Sequence, residues 1–169
     1  PISIKDLFDV AGEITLSGSL VRRKSAPAKS DAHIVSKLRA AGAILIGRTN
    51  MTEFAFSGLG INPHYGTPLN PWDRKMGRIP GGSSSGAAIS VTDNMAAAAI
   101  GTDTGGSVRI PSALCGLTGF KPTAARVSKE GAFPLSTTLD SIGPLANSVS
   151  CCSILDQTMR GAAVNTLLD

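Results

Sequence analysis

Two glycine- and serine-rich loops, close together in the sequence, constrain the fold of this chain more than any other feature. The first reads Gly-Gly-Ser-Ser-Ser-Gly at residues 81–86, and the second reads Gly-Thr-Asp-Thr-Gly-Gly-Ser at residues 101–107. Glycine lets the backbone adopt positive φ angles or approach a ligand closely, and successive backbone N–H groups in such loops can bind an anion or an oxyanion. A serine among such donors is a candidate nucleophile, although ordinary turn chemistry explains either loop equally well when it is considered alone.

Short apolar segments alternate with helical patterns along the chain. The predicted strands are residues 1–5, 43–47, 96–100 and 119–123, and the apolar run 43–47 suggests a strand buried on both faces. The predicted helices are residues 31–41, capped by Ser30 and Asp31, then 84–91 and 148–160, with helical turns at 49–54 and 110–114. Residues 15–30, 57–82 and 124–146 are predicted loops because they are rich in small, polar or turn-forming residues. This alternation predicts an α/β fold with a mixed, mostly parallel sheet flanked by helices.

Composition narrows the class of protein. The 169 residues carry a net charge of +4, and the basic run at residues 22–24 has no interleaved aromatic residues, so we expect no direct nucleic-acid binding. Cys115, Cys151 and Cys152 show no zinc spacing, which predicts reduced thiols, no metal site and a cytoplasmic location. No apolar run is long enough to span a membrane. The start at Pro1, inside a strand-like pattern, suggests that residues 1–169 are part of a longer domain that lacks its N- and C-terminal parts here.

A serine nucleophile needs a base, and the sequence offers two candidates, a histidine or a lysine. Residues 82–86 match the Gly-x-Ser-x-Gly nucleophile elbow, with Ser84 as the nucleophile of an esterase. That elbow needs a histidine later in the chain, whereas His33 and His64 both precede it. A lysine kept neutral by burial is the alternative base. Lys5 and Lys121 are the lysines flanked by apolar, strand-like sequence, although lysine in such a place is usually solvated.

The pair of loops, together with motifs along nearly the whole chain, resembles the amidase signature family. The matching segments are residues 1–6, 40–43, 47–54, 70–73, 81–86, 101–111, 119–123 and 139–144. The resemblance implies a Ser–cis-Ser–Lys triad in which Ser107 is the nucleophile, Ser83 follows a cis peptide bond and relays the proton, and Lys5 is the base. It also implies an oxyanion hole formed by the backbone N–H groups of Thr104, Gly105, Gly106 and Ser107.

The resemblance therefore implies a serine amidohydrolase that cleaves a carboxamide C–N bond through an acyl-enzyme, with no metal and no cofactor. We expect a small-molecule amide substrate and no membrane association, and a homodimer is compatible with the sequence. We expect Ser84 to be a hydrogen-bonding neighbour of the relay and not one of its three members. Asp103 and Arg109 are expected to be buried partners that hold the loop. The alternatives are the glutaminase component of a glutamyl-tRNA(Gln) amidotransferase, from which residues 57–66 depart, and a non-catalytic homologue that keeps the loops.

Overall fold

One mixed sheet of five strands organises the chain, and the computed structural model describes residues 1–164. The strands are β1 (Ile2–Lys5), β2 (Leu45–Thr49), β3 (Ala98–Asp103), β4 (Thr118–Gly119) and β5 (Ser141–Ala146). Their order across the sheet is β2-β1-β3-β5-β4. β1 runs parallel to both β2 and β3, whereas β5 runs antiparallel to β3 and β4. The predicted mixed α/β fold is confirmed. The sheet is not mostly parallel, however, because β5 pairs antiparallel with both of its neighbours.

Helices cover both faces of this sheet. The helices are α1 (His33–Ala40), α2 (Ser85–Thr92), α3 (Arg109–Leu114) and α4 (Val149–Met159). The apolar sides of α1 and α4 share one core cluster with Ile4, Ile100 and Ile142 of the sheet. α2 packs on Ala99 and Leu145 in a second cluster, because successive side chains of a strand point to opposite faces. Short 3-10 helices lie at Leu20–Lys24, Glu53–Ala55 and Pro71–Asp73.

The structure corrects the sequence predictions for α1 and β2. The predicted apolar positions Ile34, Val35 and Leu38 are fully buried, but α1 has Ala32 at its N-cap without a side-chain cap. Asp31 instead accepts a hydrogen bond from Ala11 N. The prediction that residues 43–47 are buried on both faces is wrong. Ile44 and Ile46 are 69% and 46% exposed, because β2 lies at the edge of the sheet with β1 as its hydrogen-bonded neighbour.

β5 is the strand that the sequence did not predict. It contains Gly143 and Pro144, two residues that are disfavoured inside a sheet, and yet it lies between β3 and β4. The carbonyl of Pro144 accepts a hydrogen bond from Phe120 N at 3.1 Å. A Cβ atom on Gly143 would lie 2.1 Å from the carbonyl oxygen of Phe120. Gly143 is therefore required by the close approach of the neighbouring backbone.

Two further findings concern the cysteine residues and the helices. Cys115, Cys151 and Cys152 are free, as predicted, and burial raises the pKa of the Cys115 and Cys152 thiols to about 11. In the part of the chain that the structure describes, no helix combines the length and the apolar character needed to cross a membrane.

Candidate functional site

The parallel pairing of β1 with β3 brings two parts of the predicted site to one edge of the sheet. Ile4 is aligned with Ile100, so Lys5, the last residue of β1, lies beside the segment 101–103 with which β3 ends. The loop that carries Ser83 leads into α2, and α2 packs against β1 and β3. The two loops that the sequence singled out therefore meet at the carboxyl ends of these strands.

Lys5 is a fully buried amine that contacts two hydroxyl groups. Its side chain is 0% exposed. The Nζ atom lies 2.7 Å from Ser83 Oγ and 2.9 Å from Thr102 Oγ1, and it donates to both. Among residues 1–164, no carboxylate lies within ion-pair distance of Nζ. A positive charge on Nζ would thus be held by neutral partners, which is an unfavourable setting for a protonated amine.

Burial controls the pKa of Lys5. Desolvation lowers this pKa from 10.5 to about 7, against the opposing influence of the negative charges of Asp103 and Asp140. A lysine with this pKa is neutral in a large fraction of molecules near pH 7. A neutral amine has a lone pair that can accept a proton, so Lys5 has the chemistry of a base.

The loop at residues 81–86 is held close to other backbone segments. The Gly82–Ser83 peptide bond is cis, as the resemblance implies. A Cβ atom on Gly82 would lie 2.6 Å from the backbone nitrogen of Gly60, so only glycine fits at this position. The backbone N–H of Ser84 donates to the carbonyl oxygen of Ser107 at 3.3 Å. This hydrogen bond joins the two glycine-serine loops directly.

Ser107 opens onto a cavity of about 340 Å³. Besides Ser107, the cavity is lined by Thr104 and Gly105 of the same loop and by Ala55, Phe56, Ser57, Gly58, Ile110 and Leu135. Most of these wall residues are apolar. In the described part of the chain, the structure contains the hydrogen bond between Lys5 and Ser83 but none between the hydroxyls of Ser83 and Ser107. The second link of the predicted relay is therefore not closed in this conformation, which is common for catalytic hydrogen bonds without substrate.

Asp103 organises the loop that carries Ser107. It is fully buried, and its two oxygens accept hydrogen bonds from the backbone N–H groups of Gly106, Val108 and Arg109. The Arg109 side chain adds two more contacts, at 3.1 and 3.0 Å. Burial opposes the ionisation of Asp103, but the hydrogen bonds from Arg109 and Val108 outweigh it and lower the pKa of this carboxyl group. Asp103 is thus a loop-holding residue, whereas Arg109 is 53% exposed and not buried as expected.

One of the predicted oxyanion donors is engaged elsewhere. The N–H of Gly106 donates to Asp103 Oδ1 at 2.9 Å. Gly106 would have to give up this hydrogen bond to a buried carboxylate in order to bind an oxyanion. Thr104, Gly105 and Ser107, the other three residues of the predicted oxyanion hole, line the cavity.

Ser84 does not have the position of an exposed nucleophile. Its side chain is fully buried, and its hydroxyl donates to the backbone oxygen of Thr102 at 3.4 Å. Neither histidine completes an elbow with it: His64 lies 3.2 Å from Glu53, and His33 is the first residue of α1. The expected direct hydrogen bond between Ser84 and the relay is also replaced by this contact with the backbone.

Thr102 and Asp140 are site residues that the motifs did not reveal. Thr102 is the second partner of Lys5, and Asp140 accepts a hydrogen bond from Thr104. Thr102 is 97 residues from Lys5 along the chain. Only the register between β1 and β3 could have indicated this contact. No group of three or more histidine, cysteine, aspartate or glutamate side chains within residues 1–164 is arranged to hold a metal ion.

A family model and curated relatives match nearly the whole chain. The Amidase family model matches residues 1–166. The chain is 44% identical over 161 residues to the 1-carboxybiuret hydrolase subunit AtzE of Pseudomonas sp. (strain ADP), covering 95% of this chain and 35% of that protein. It is 43% identical over 161 residues to the A subunit of the glutamyl-tRNA(Gln) amidotransferase of Syntrophobacter fumaroxidans (strain DSM 10017 / MPOB), covering 95% and 32% of the two chains.

Solved structures share the fold. A crystal structure of an amidase superposes with a TM-score of 0.89 at 42% identity, covering 98% of this chain and 37% of that one. The chain thus spans about a third of the length of the curated relatives it matches.

Proposed function

The chain belongs to the amidase family, and from that premise we propose that it supplies the catalytic centre of a serine amidohydrolase. The substrate is a small-molecule carboxamide, and the reaction proceeds through an acyl-enzyme on Ser107. Because the relatives are about three times longer, we propose that residues 1–169 form part of a larger catalytic domain. The free cysteines favour a cytoplasmic location.

The observation that carries this proposal is the environment of Lys5. A fully buried lysine without a counter-ion in contact is costly, and such groups are concentrated at functional sites. Its Nζ atom lies 2.7 Å from Ser83 Oγ, within reach for proton transfer. A purely structural lysine would be expected to pair with a carboxylate or to extend to solvent.

Acylation uses the relay in one direction. Neutral Lys5 accepts the proton of the Ser83 hydroxyl while Ser83 accepts the proton of Ser107. The Ser107 oxygen then bonds to the carbonyl carbon of the amide, and the carbonyl electron pair moves onto oxygen. The backbone N–H groups of Thr104, Gly105 and Ser107 stabilise this oxyanion.

Collapse of the tetrahedral intermediate uses the relay in reverse. The C–N bond breaks, and the proton held by Lys5 passes through Ser83 to the nitrogen, so that ammonia or an amine leaves. Water then attacks the acyl-enzyme ester and gives up a proton to the same relay, which returns it to the Ser107 oxygen. The products are a carboxylic acid and the amine, and the protein ends in its starting state.

Hydrolysis of a primary carboxamide tests the proposal. We expect Ser107→Ala and Lys5→Ala, each made in the whole protein, to lower kcat/KM by about 10²-fold or more, as loss of general acid–base or nucleophilic catalysis does. Lys121→Ala is the matched control, because Lys121 is the other lysine in apolar sequence and its side chain donates to the backbone oxygen of Pro122. Equal hydrolysis by Ser107→Ala and the unmodified protein would reject the proposal.

A second candidate is the glutaminase component of an amidotransferase. Several relatives named as the A subunit of glutamyl-tRNA(Gln) amidotransferases are 43–45% identical to this chain, which is as close as the carboxybiuret hydrolase component. Both candidates use the same triad and differ in substrate and partner. Glutamine hydrolysis that rises when a co-purifying protein is added would favour the glutaminase, whereas hydrolysis of simple carboxamides without a partner would favour the amidohydrolase.

A further inference from the structure

We propose that Asp140 is a positioning residue that fixes the oxyanion loop, residues 104–107, against the wall of the cavity in front of Ser107. The inference deepens the proposed amide hydrolysis and rests on it. It concerns a side chain that does not touch the reacting atoms and acts through Thr104.

The pairing of β5 with β3 places Asp140 beside the loop. Ser141 is aligned with Asp103 across the sheet, and its hydroxyl donates to the backbone oxygen of Asp103 at 2.9 Å. Asp140 immediately precedes β5. Because β5 runs antiparallel to β3, the start of β5 lies beside the end of β3, and Asp140 is therefore close to Thr104. Its side chain is buried, with 8% of the residue exposed.

The carboxylate of Asp140 joins two segments. Its Oδ1 accepts a hydrogen bond from Thr104 Oγ1 at 2.5 Å. Its Oδ2 accepts from the backbone N–H groups of Leu135 and Ser136, at 2.9 and 3.0 Å. The contacts with residues 135–136 are typical of a local turn. The contact with Thr104, 36 residues away, is not local and attaches that turn to the oxyanion loop.

These two segments line the same cavity. Thr104, Gly105 and Ser107 contribute to its lining from the oxyanion loop, and Leu135 contributes from the turn that Asp140 holds. An oxyanion donor is effective only when it is within hydrogen-bonding distance of the oxygen that becomes negative. A displacement of about 1 Å can lower a rate about 10²-fold. By holding both segments, Asp140 sets the distance between the oxyanion donors and the bound acyl group.

Asp140 also places a negative charge near Lys5. The charged groups that act on Lys5 are Asp103, which is paired with Arg109, and Asp140. Lys129 lines a separate cavity together with Asp140 and Thr102, and its Nζ donates to the backbone oxygen of Thr137. The negative charge of Asp140 raises the pKa of Lys5 against the stronger effect of burial. Removal of that charge would lower the pKa of Lys5.

Two variants of the whole protein separate the geometry from the charge. Thr104→Val removes the hydroxyl that Asp140 binds and keeps both the carboxylate and the backbone N–H. Asp140→Asn removes the charge and can keep both contacts, because its amide oxygen accepts from the N–H groups of Leu135 and Ser136 while its NH2 group donates to the Thr104 hydroxyl. The matched control is Asp156→Asn, a buried aspartate on α4 that interacts with Arg126 and Arg160.

The measurement is the pH dependence of kcat and KM for a primary carboxamide. We expect Thr104→Val to lower kcat by about 10- to 100-fold with little change in KM, because the loop is no longer held. Asp140→Asn can keep the contact with Thr104 and should lower kcat less. Asp140→Asn alone should move the acid limb of the kcat/KM profile to lower pH, since Lys5 then loses its proton more easily. Asp156→Asn should change neither kcat nor the acid limb.

The result that overturns the inference is wild-type kcat and an unmoved acid limb in both variants, while Ser107→Ala has lost turnover. Turnover that persists in Ser107→Ala would instead overturn the proposed function, and the role of Asp140 with it. If Asp140→Asn does not fold, Thr104→Val alone tests the inference. Wild-type kcat in that variant would show that the hydrogen bond from the Thr104 hydroxyl to Asp140 does not fix the oxyanion loop.

Discussion

Two polar clusters in this protein, each built around one buried ionisable side chain, hold that side chain in opposite ways. In the site cluster, Lys5, Ser83 and Thr102, a fully buried amine contacts two neutral hydroxyls. In the helix cluster, Arg126, Asp156 and Arg160, a buried carboxylate lies 2.8 Å from one guanidinium and 3.9 Å from the other. A buried charge that is paired with an opposite charge costs the fold little, whereas an unpaired one destabilises the fold and persists where it supports chemistry. This difference favours a functional role for the site cluster and a structural role for the helix cluster.

The largest expected effect is the loss of activity in Lys5→Met. Methionine keeps an unbranched apolar side chain but cannot accept a proton, so kcat/KM should fall by about 10²- to 10⁴-fold. Steady-state hydrolysis of a primary carboxamide measures this loss, with Lys121→Met as the control. Activity within a few-fold of the wild type would show that the site cluster does not differ functionally from the helix cluster.

The same variant should be more stable than the wild type, and the difference should depend on pH. The pKa of Lys5 is about 7 in the folded protein and 10.5 in the unfolded chain, so the unfolded chain binds more protons between these values. The contribution of Lys5 to stability therefore rises as the pH rises through this window. The gain from Lys5→Met should be largest at or below pH 7 and disappear toward pH 10.5. Denaturant titrations at several pH values measure it, and an equal gain at all of them would contradict the lowered pKa.

The opposite pattern is expected for Asp156→Ala in the helix cluster. Loss of the charged hydrogen bonds with Arg126 should lower the free energy of unfolding, while kcat/KM of the folded protein stays at the wild-type level. Chemical denaturation and steady-state kinetics on the same samples measure both quantities. A large loss of kcat/KM without a loss of stability would erase the distinction between the two clusters.

Among the variants within the site, the smallest effect on activity is expected for Ser84→Ala. The Ser84 hydroxyl donates to a backbone oxygen at 3.4 Å, and its loss should lower kcat/KM by less than about 10-fold. Ser83→Ala is the matched comparison, because the two serines are neighbours and only Ser83 contacts Lys5. An equal loss in the two variants would return Ser84 to the catalytic centre.

The sequence predicts elements that depend on local pattern and misses those that depend on distant partners. The apolar spacing of α1 and the two glycine-serine loops are local, and both are predicted. β5 is missed because Gly143 and Pro144 contradict strand rules, and the neighbouring backbone that requires Gly143 belongs to Phe120. The burial of β2 is predicted wrongly, because an apolar run does not reveal whether a strand lies at the edge of a sheet.

The site follows the same rule. Motifs, and not hydrophobic periodicity, predict Lys5, Ser83 and Ser107 as site residues. No spacing in the sequence indicates that Lys5 is buried beside Ser83, which is 78 positions away, and Thr102, which is 97 positions away. Thr102 and Asp140 lie inside the same motifs, but their roles depend on strand register. The bond between Gly106 and Asp103 likewise requires the folded loop.

The most direct test of the proposed relay is the pH dependence of covalent labelling at Ser107. A fluorophosphonate probe reacts with the activated serine, and peptide mass spectrometry identifies the modified residue in the wild type, Lys5→Met and Lys121→Met. We predict that Ser107 is labelled, that the rate rises with pH around the Lys5 pKa of about 7, and that Lys5→Met alone abolishes this rise. Labelling of Ser84, or labelling of Ser107 at the same rate in Lys5→Met at every pH, would contradict the relay.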